Sequence, residues 1–263
     1  MNKTHPRKHH PLHWQRNSLQ QPVGSDLNWS SAKAPDGEPI KGSFANLEPI
    51  SSQQHGLALY NQWKLDSQGA IWTYMPYGPF VTAEHYCMWL REQESIEAPC
   101  FYCITDAQGE PRGIFALDAI KPDKGSIELA HVMFSPAIQH TPTATEAVYL
   151  ILNYVFEMGY RRCEWKCNAL NEKSKKAAQR FGFSYEGLFR HHMVVKNRNR
   201  DTAWFAMTAE DWQQLQPAYR QWLDPTNFTH DGKQKSALST TTQCVLRELI
   251  VDPLGTNNVE PDL

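Results

Sequence analysis

SIELAHVMFSPAIQHTPTATEAVYLILNYVFEMGYRRCEWKCNALNEKSKKAAQRFGFSYEG, residues Ser126 to Gly187, is the stretch from which the fold can be read. Ile127 to Phe134 is rich in β-formers without clean alternation, the pattern of a central strand buried on both faces. It stops at Ser135 and Pro136. Ala147, Ile151, Val155 and Met158 then recur at helical spacing, and Tyr149, Leu152 and Phe156 carry apolar surface around the cylinder, so this helix is expected to be largely buried. Its start is marked by Thr141 with Pro142 or, just after, by Thr143 with Glu146 in capping-box spacing, and its end by Gly159. A second strand (RRCEWKC) and a second helix (NEKSKKAAQRFGF) follow. Strand, short polar loop and helix N-terminus in succession outline an anion site, because the first helical turn has unpaired N–H groups at the positive end of the dipole.

The rest of the chain frames this unit. Thr82 to Glu94 reads as a helix capped by Thr82, with Tyr86, Trp89 and Leu90 inward. Phe101 to Thr105 and Gly113 to Ile120, joined by DAQGEP, read as a hairpin, and Lys121 to Gly125 turns into the central strand. Three antiparallel strands thus precede a helical crossover to a parallel partner. The expected fold class is α+β, a mixed and mostly antiparallel twisted sheet with one parallel pair and flanking helices. Upstream, Ser43 to Ile50 reads as a strand, Gln53 to Leu65 as a helix with Leu57, Tyr60 and Lys64 near one face, and Ile71 to Phe80 as an aromatic loop that either packs over a core or lines a pocket. Downstream, Leu188 to Lys196 and Trp204 to Thr208 form a hairpin around NRNRD, whose Lys196, Arg198 and Arg200 are a solvated turn or a receptor for an acidic substrate. A last helix carries Trp212, Leu215, Tyr219 and Trp222 on one side, with a kink expected near Pro217 and irregular chain after Asp224. Three parts result: a Pro- and His-rich arm over residues 1–42, a domain over 43–209, and a C-terminal helix and tail over 210–263.

Composition narrows the function. A formal charge of −2 argues against a general nucleic-acid binder. The longest apolar run, Ala147 to Phe156, is too short to span a bilayer. Six cysteines without an upstream secretory segment point to buried thiols in a reducing compartment, with the cytoplasm as the expectation. Cys100 and Cys103 would face opposite sides of a strand, so no zinc site is expected there. The arm carries His5, His9, His10 and His13, which could bind a metal but read more simply as a solvated tail.

Two motifs bring a family into view. Gln139-x-x-Pro142-x-Ala144 resembles the (Arg/Gln)-x-x-Gly-x-(Gly/Ala) pyrophosphate loop of the GNAT N-acetyltransferase superfamily, and Asn171-x-x-Ser174 followed by Phe181-Gly182-Phe183 resembles its next motif. Asp201 in RDTAWFAM adds a likeness to the branch holding the Rim-type ribosomal-protein acetyltransferases. The resemblance implies a GNAT fold in which the two parallel strands splay apart and the pantetheine arm of acetyl-CoA lies in the gap. It also implies an acetyl-CoA-dependent N-acyltransferase, in which a primary amine of a protein N-terminus or a small molecule attacks the thioester directly through a tetrahedral intermediate. Cofactor contacts are then expected from Val132, Met133, Phe134, Gln139, His140, Thr141, Thr143, Ala144, Thr145, Asn171 and Ser174. Pro142 departs from the pattern, since it stands at the usual glycine and has no N–H. A catalytically weak acyl-CoA-binding module is therefore the alternative. No nucleic acid, membrane or metal is expected as partner, and the chain is expected to be a monomer or homodimer.

Chemistry then selects candidates. An amine must be neutral to attack: at pH 7 that costs roughly 4 to 5 kcal/mol for a lysine-type amine but only about 1 to 1.5 kcal/mol for an α-amino group. Glu128, eleven residues before Gln139, has a spacing that resembles GNAT members with a catalytic glutamate on this strand, and a buried carboxylate there would suit proton acceptance. The alternative is a strand glutamate paired with Lys or Arg. His131 would face away from Glu128 in a regular strand and join it only across a bulge; otherwise it is a core histidine. The glutamate base of the Rim-type branch would fall on Met193, beside His191 and His192, and does not transfer. Ser174 matches the serine that protonates the departing CoA thiolate in that branch, or simply packs with Ala177, Ala178 and Phe181. Asn171 is either N-cap or pantetheine contact.

Overall fold

A computed structural model describes residues 14–230 and 233–249. The described residues begin with a small exposed hairpin, β1 (Trp14–Arg16) and β2 (Pro22–Gly24), apart from the main sheet. Next come β3 (Ile40–Lys41), β4 (Ala45–Pro49), α1 (Ser52–Trp63), α2 (Ala83–Glu94), β5 (Cys100–Asp106), β6 (Pro111–Lys121) and β7 (Ser126–Phe134). After these follow α3 (Pro142–Glu157), β8 (Arg162–Asn168), α4 (Glu172–Arg180), β9 (Ser184–Val195), β10 (Arg198–Thr208), α5 (Ala209–Leu223) and α6 (Leu238–Leu249). The main sheet has eight strands in the order β3-β4-β5-β6-β7-β8-β10-β9, and β7 with β8 is its parallel pair. All other neighbours run antiparallel. The mixed sheet expected from the sequence is therefore present.

Helices cover both faces. On one, α3 and α5 pack with Ile127, Leu129, Trp165, Phe183 and Phe205 in the larger core. On the other, α1 and α2 pack Leu59, Trp63, Tyr86 and Leu90 against Phe101, Cys103, Ile114, Ala116 and Met133. The aromatic loop belongs to this second layer through Trp72, which is buried beside Trp63 and Phe80. Residues before β3 lie against the sheet's end: Trp29 donates its indole N–H to the Gly159 carbonyl at 2.9 Å, and Lys33 N–H bonds the Met158 carbonyl at 2.9 Å. His5, His9, His10 and His13 lie outside the described residues. No helix among the described residues is long and apolar enough to cross a membrane, and no cluster among them is placed to hold a metal ion. Cys87, Cys100, Cys103, Cys163 and Cys167 are free thiols.

Several expectations need correction. In α1 the buried face is Ser52, His55, Gly56, Leu59 and Trp63, while Leu57 is exposed, because the helix docks by its Trp-bearing side. The hairpin turn is the two residues Lys196 and Asn197, both left-handed (φ 48° and 59°), so Arg198 to Asp201 are strand, as the tight turn that matches strand twist requires. The chain after Asp224 is not all irregular: α6 packs against α4 and α5, with Leu238 and Thr242 fully buried.

The helix start at α3 is resolved in favour of Thr141 as N-cap with Pro142 at the first helical position, where a missing N–H costs nothing. The Thr143–Glu146 capping box does not form. Glu146 is instead buried, and its Oε2 accepts the N–H groups of Phe44 and Ala45, the latter at 2.7 Å, tying α3 to the start of β4. Gly42 passes so close that a Cβ there would meet this same oxygen at 2.5 Å. At the other end Gly159 has φ 93° just past the last turn, as its position in the sequence predicts.

Glu146→Leu should leave two N–H groups in the interior without an acceptor and cost about 3 kcal/mol in urea unfolding, while Glu146→Gln, which keeps one acceptor, should cost about half of that. Equal stability of all three proteins would show that the carboxylate does not hold β4.

Candidate active site

The parallel pair meets over only three residue pairs, Ser126 with Arg162, Ile127 with Cys163 and Glu128 with Glu164. Beyond them β7 continues to Phe134 on β6, and β8 continues to Asn168 on β10, each held by its outer antiparallel neighbour. The two strands therefore diverge, and the backbone of Leu129 to Phe134 on the β8 side has no strand partner among the described residues. Glu128 sits at the last paired position, at the apex of the gap.

A bulge shapes the β7 wall. Ala130 pairs with Ala116 and Met133 with Ile114, so three steps on β7 match two on β6, and His131 takes φ 54°. The bulge turns His131 to the face shared by Glu128 and the α1/α2 layer. Its ring stacks on Tyr77 at 5.6 Å, lies 5.0 Å from Phe101, and its Nδ1 is 3.2 Å from the Tyr77 hydroxyl. Tyr77 comes from the aromatic loop, which is fastened across the gap at two points. Lys196 Nζ donates to the Trp72 carbonyl at 3.0 Å, and the Tyr74 hydroxyl donates to the Leu170 carbonyl at 3.1 Å. Of the two sequence readings of this loop, core packing applies to Trp72 and lining the site to Tyr77.

Charges alternate on the same face. Lys166 Nζ donates to Glu128 Oε2 at 2.8 Å, pairs with Glu164 Oε2 at 2.7 Å, and lies 4.3 Å from the Trp204 ring centre. Arg162 binds Glu164 at 2.9 Å and clasps Glu186 with both terminal nitrogens. One ammonium is thus shared by two carboxylates, and they fare differently. Burial pushes the Glu128 carboxyl above its usual value, with Lys166 pulling the other way and Asp118 and Glu164 adding to the rise. Burial also opposes charge on Glu164, but Lys166 and Arg162 together hold it below its usual value. Burial lowers Lys166 too, and the attraction of Glu128 and Glu164 outweighs it. His131 is pushed below its ordinary value by burial, against the pull of Asp118.

The loop from Ser135 to Thr141 closes the far end of the gap. Gln139 is exposed, donating its amide to the Phe134 carbonyl at 3.0 Å, and His140 is exposed with φ 63°. No side chain caps α3, so the N–H groups of its first turn are uncapped. Thr143 is half-buried, whereas Ala144 and Thr145 point into the core, where the Thr145 hydroxyl accepts from Arg180 at 2.9 Å. Any contact they make with a bound anion is through the backbone. On β7, Met133 is buried in the α1/α2 layer, while Val132 and Phe134 are half-buried on the other face. At α4, Asn171 caps the helix by accepting from Ser174 N–H at 3.1 Å, and Ser174 Oγ accepts from the Trp165 indole at 3.0 Å. Both side chains therefore have structural partners beside the gap. Sequence reasoning missed Lys166 and Trp204; the signal for Lys166 was there, in the alternation Arg162, Glu164, Lys166 against Cys163, Trp165, Cys167.

Comparison with known proteins agrees with this geometry. A family model described as Acetyltransferase (GNAT) domain matches residues 46–184. No curated protein matches. Among solved structures, a GCN5-related N-acetyltransferase from Brucella melitensis is similar at 39% identity and TM-score 0.80, covering 82% of this chain and 99% of its own. A probable acetyltransferase of the GNAT family from Chromobacterium violaceum is 37% identical with TM-score 0.68, covering 73% of this chain and 99% of that one. The acetyl transferase from Salmonella typhimurium that modifies the N-terminal serine of a 50S ribosomal subunit protein shares the fold, at 17% identity and TM-score 0.57 over 65% of this chain and 99% of its own.

A histidine kept neutral by burial has an acid liability. The unfolded chain takes up its proton near pH 6.5 and the folded one only at lower pH, so stability is fully present above that value and falls as pH falls through it. His131→Asn, which tolerates the left-handed backbone, should lower stability at pH 8 through lost stacking but flatten the decline below pH 6.5. An identical acid slope in chemical unfolding of the two proteins would show that His131 is not its source.

Proposed function

The chain belongs to the GNAT acetyltransferase family and is an acetyl-CoA-dependent acyltransferase, and from that premise we propose that it acetylates a primary amine at the β7/β8 gap with Glu128 as the general base. The observation that carries this is the position of Glu128. It is the last paired residue before the strands part, its carboxyl is raised by burial, and its Oε1 carries no hydrogen bond among the described residues. A carboxylate whose pKa burial raises accepts a proton from an ammonium with less loss than an exposed one. The pairing of Oε2 with Lys166 supports the same role, because it holds the side chain still and leaves the other oxygen to the amine.

The residues present fit acetyl-CoA. Unpaired backbone along Leu129 to Phe134 can bind the amides of pantetheine as an added strand would, and an N–H beside the bulge can face the thioester oxygen as it gains charge. Thr143 and Ala144 offer first-turn N–H groups to the pyrophosphate, with Gln139, His140 and Thr141 around them; Pro142, at the first helical position, leaves the helix ladder intact but supplies no N–H of its own to the anion. Asn171 and Ser174 border the pantetheine channel. Ser174 can pass a proton to the departing thiolate, a small gain because a thiol of pKa about 8.5 leaves readily at neutral pH. His131, half-buried and held below its ordinary pKa by burial, orients Tyr77 over the acceptor rather than serving as the base. Protein N-termini and small amines both remain within this reading, and buried thiols such as Cys103 and Cys163 suit a cytoplasmic home.

Thiol release from acetyl-CoA tests the assignment. Glu128→Gln should reduce turnover of a lysine-type amine about 10²- to 10⁴-fold and that of an α-amino group less, with little change in the KM for acetyl-CoA. Raising the pH should restore much of the loss, because solvent then supplies the neutral amine. Wild-type turnover in the variant from pH 6 to 9 would make Glu128 a purely structural partner of Lys166.

A further inference from the structure

Around the gap, nearly every cation is already spoken for. Lys166 is shared by Glu128 and Glu164, Arg162 by Glu164 and Glu186, and Lys196 is spent on the Trp72 carbonyl. Arg200 is the exception. It stands on β10 two residues before Thr202, whose partner Asn168 is the last residue of β8, so it lies beyond the end of β8, at the mouth of the gap. Its side chain lies on the face of Thr202 and Trp204: Nε donates to the buried Thr202 hydroxyl at 3.1 Å, and that hydroxyl is also 2.9 Å from His192 Nδ1. The guanidinium is thereby held half-buried on this face, within electrostatic reach of Cys167 on β8 and of Glu128 and His131 on β7. Neither of its terminal nitrogens has a hydrogen bond, and no carboxylate pairs with it, among the described residues. Holding a cation partly out of water with no counter-ion is costly, and burial accordingly disfavours its charged form. A planar fork of free donors in such a place suits a carboxylate.

The surroundings define what would bring that carboxylate. Opposite Arg200 stand the carboxylates of Glu128, Asp118 and Glu164; Lys166 and Arg162 both pair with Glu164, and Lys166 alone pairs with Glu128. The site therefore attracts an ammonium at the apex and an anion at the mouth. We propose that Arg200 binds an anionic group of the acceptor, so that the amine acetylated here is accompanied by a carboxylate, either the α-carboxylate of a free amino acid or an acidic side chain at a peptide N-terminus. This rests on the acetyl-transfer reading and adds the chemical class of its acceptor. Arg200 acts as a binding residue, with Thr202 as the group that positions it.

Two matched pairs of acceptors test it in the thiol-release assay: an α-amino acid against its carboxamide, and a tripeptide beginning with Asp against the same peptide beginning with Asn. The carboxylate member should win in at least one pair, and which pair discriminates tells the two sources apart. Arg200→Gln should raise the KM of the preferred carboxylate by about tenfold to a hundredfold and bring the ratio within the pair close to one, as loss of a charge-assisted bond does. Arg200→Lys should retain part of the preference, and the KM for acetyl-CoA, unchanged in both, reports that the site is still folded. Equal use of both members of each pair by the wild-type enzyme would overturn the proposal while leaving the transferase reading intact. So would an Arg200→Gln variant that keeps the preference, or one that loses acetyl-CoA affinity instead. No thiol release with any amine would overturn the transferase reading and this inference with it.

Discussion

The site exists because β7 and β8 pair at one end only. Parallel strands normally stay in register along their length, yet here the ladder ends after Glu128 and Glu164 while both strands continue. Each can do so because its other edge is occupied, β7 by β6 and β8 by β10, so direction is set from outside and the gap opens without fraying. Unpaired strand backbone in a sheet interior is ordinarily a liability. Here the backbone of Leu129 to Phe134 is left open on the side of the gap, followed in the chain by the uncapped start of α3.

Charge at the apex of the gap is arranged so that one carboxylate stays bound and another stays available. Glu164 has two cations and is held low; Glu128 shares one and is raised by its burial. Were Lys166 absent, two carboxylates on neighbouring strands would repel in a half-buried setting, which would raise Glu128 further while Arg162 still held Glu164. The bulge at His131 brings its ring, stacked on Tyr77, onto the face that carries Glu128.

Much of this was legible in the sequence, because periodicity reports what is buried. The run from Ile127 to Phe134, the apolar cylinder of α3 and the stop at Gly159 gave strand, helix and boundary, and the spacing of Gln139, Pro142 and Ala144 gave the family. The misses share a cause, which is that they depend on partners distant in sequence. Glu146 looked like a capping residue because its true acceptor role is toward Phe44 and Ala45, about a hundred positions away. Likewise, the pairing of Glu128 with Lys166 and the free guanidinium of Arg200 need the strand order, which local pattern does not contain. Residue-level reading placed His131 on either of two faces, and only the register between Ala130 and Met133 decides it.

The claim on which the account rests is that acetyl-CoA occupies the gap between β7 and β8, and amide hydrogen exchange with and without CoA measures this most directly. Binding should slow exchange in Leu129 to Phe134, where strand backbone lacks a partner, and in the first turn of α3 at Thr143 to Thr145. The amides of β5, already paired on both sides, should change little. Protection elsewhere, with these two segments exchanging as fast as in the free protein, would contradict the account.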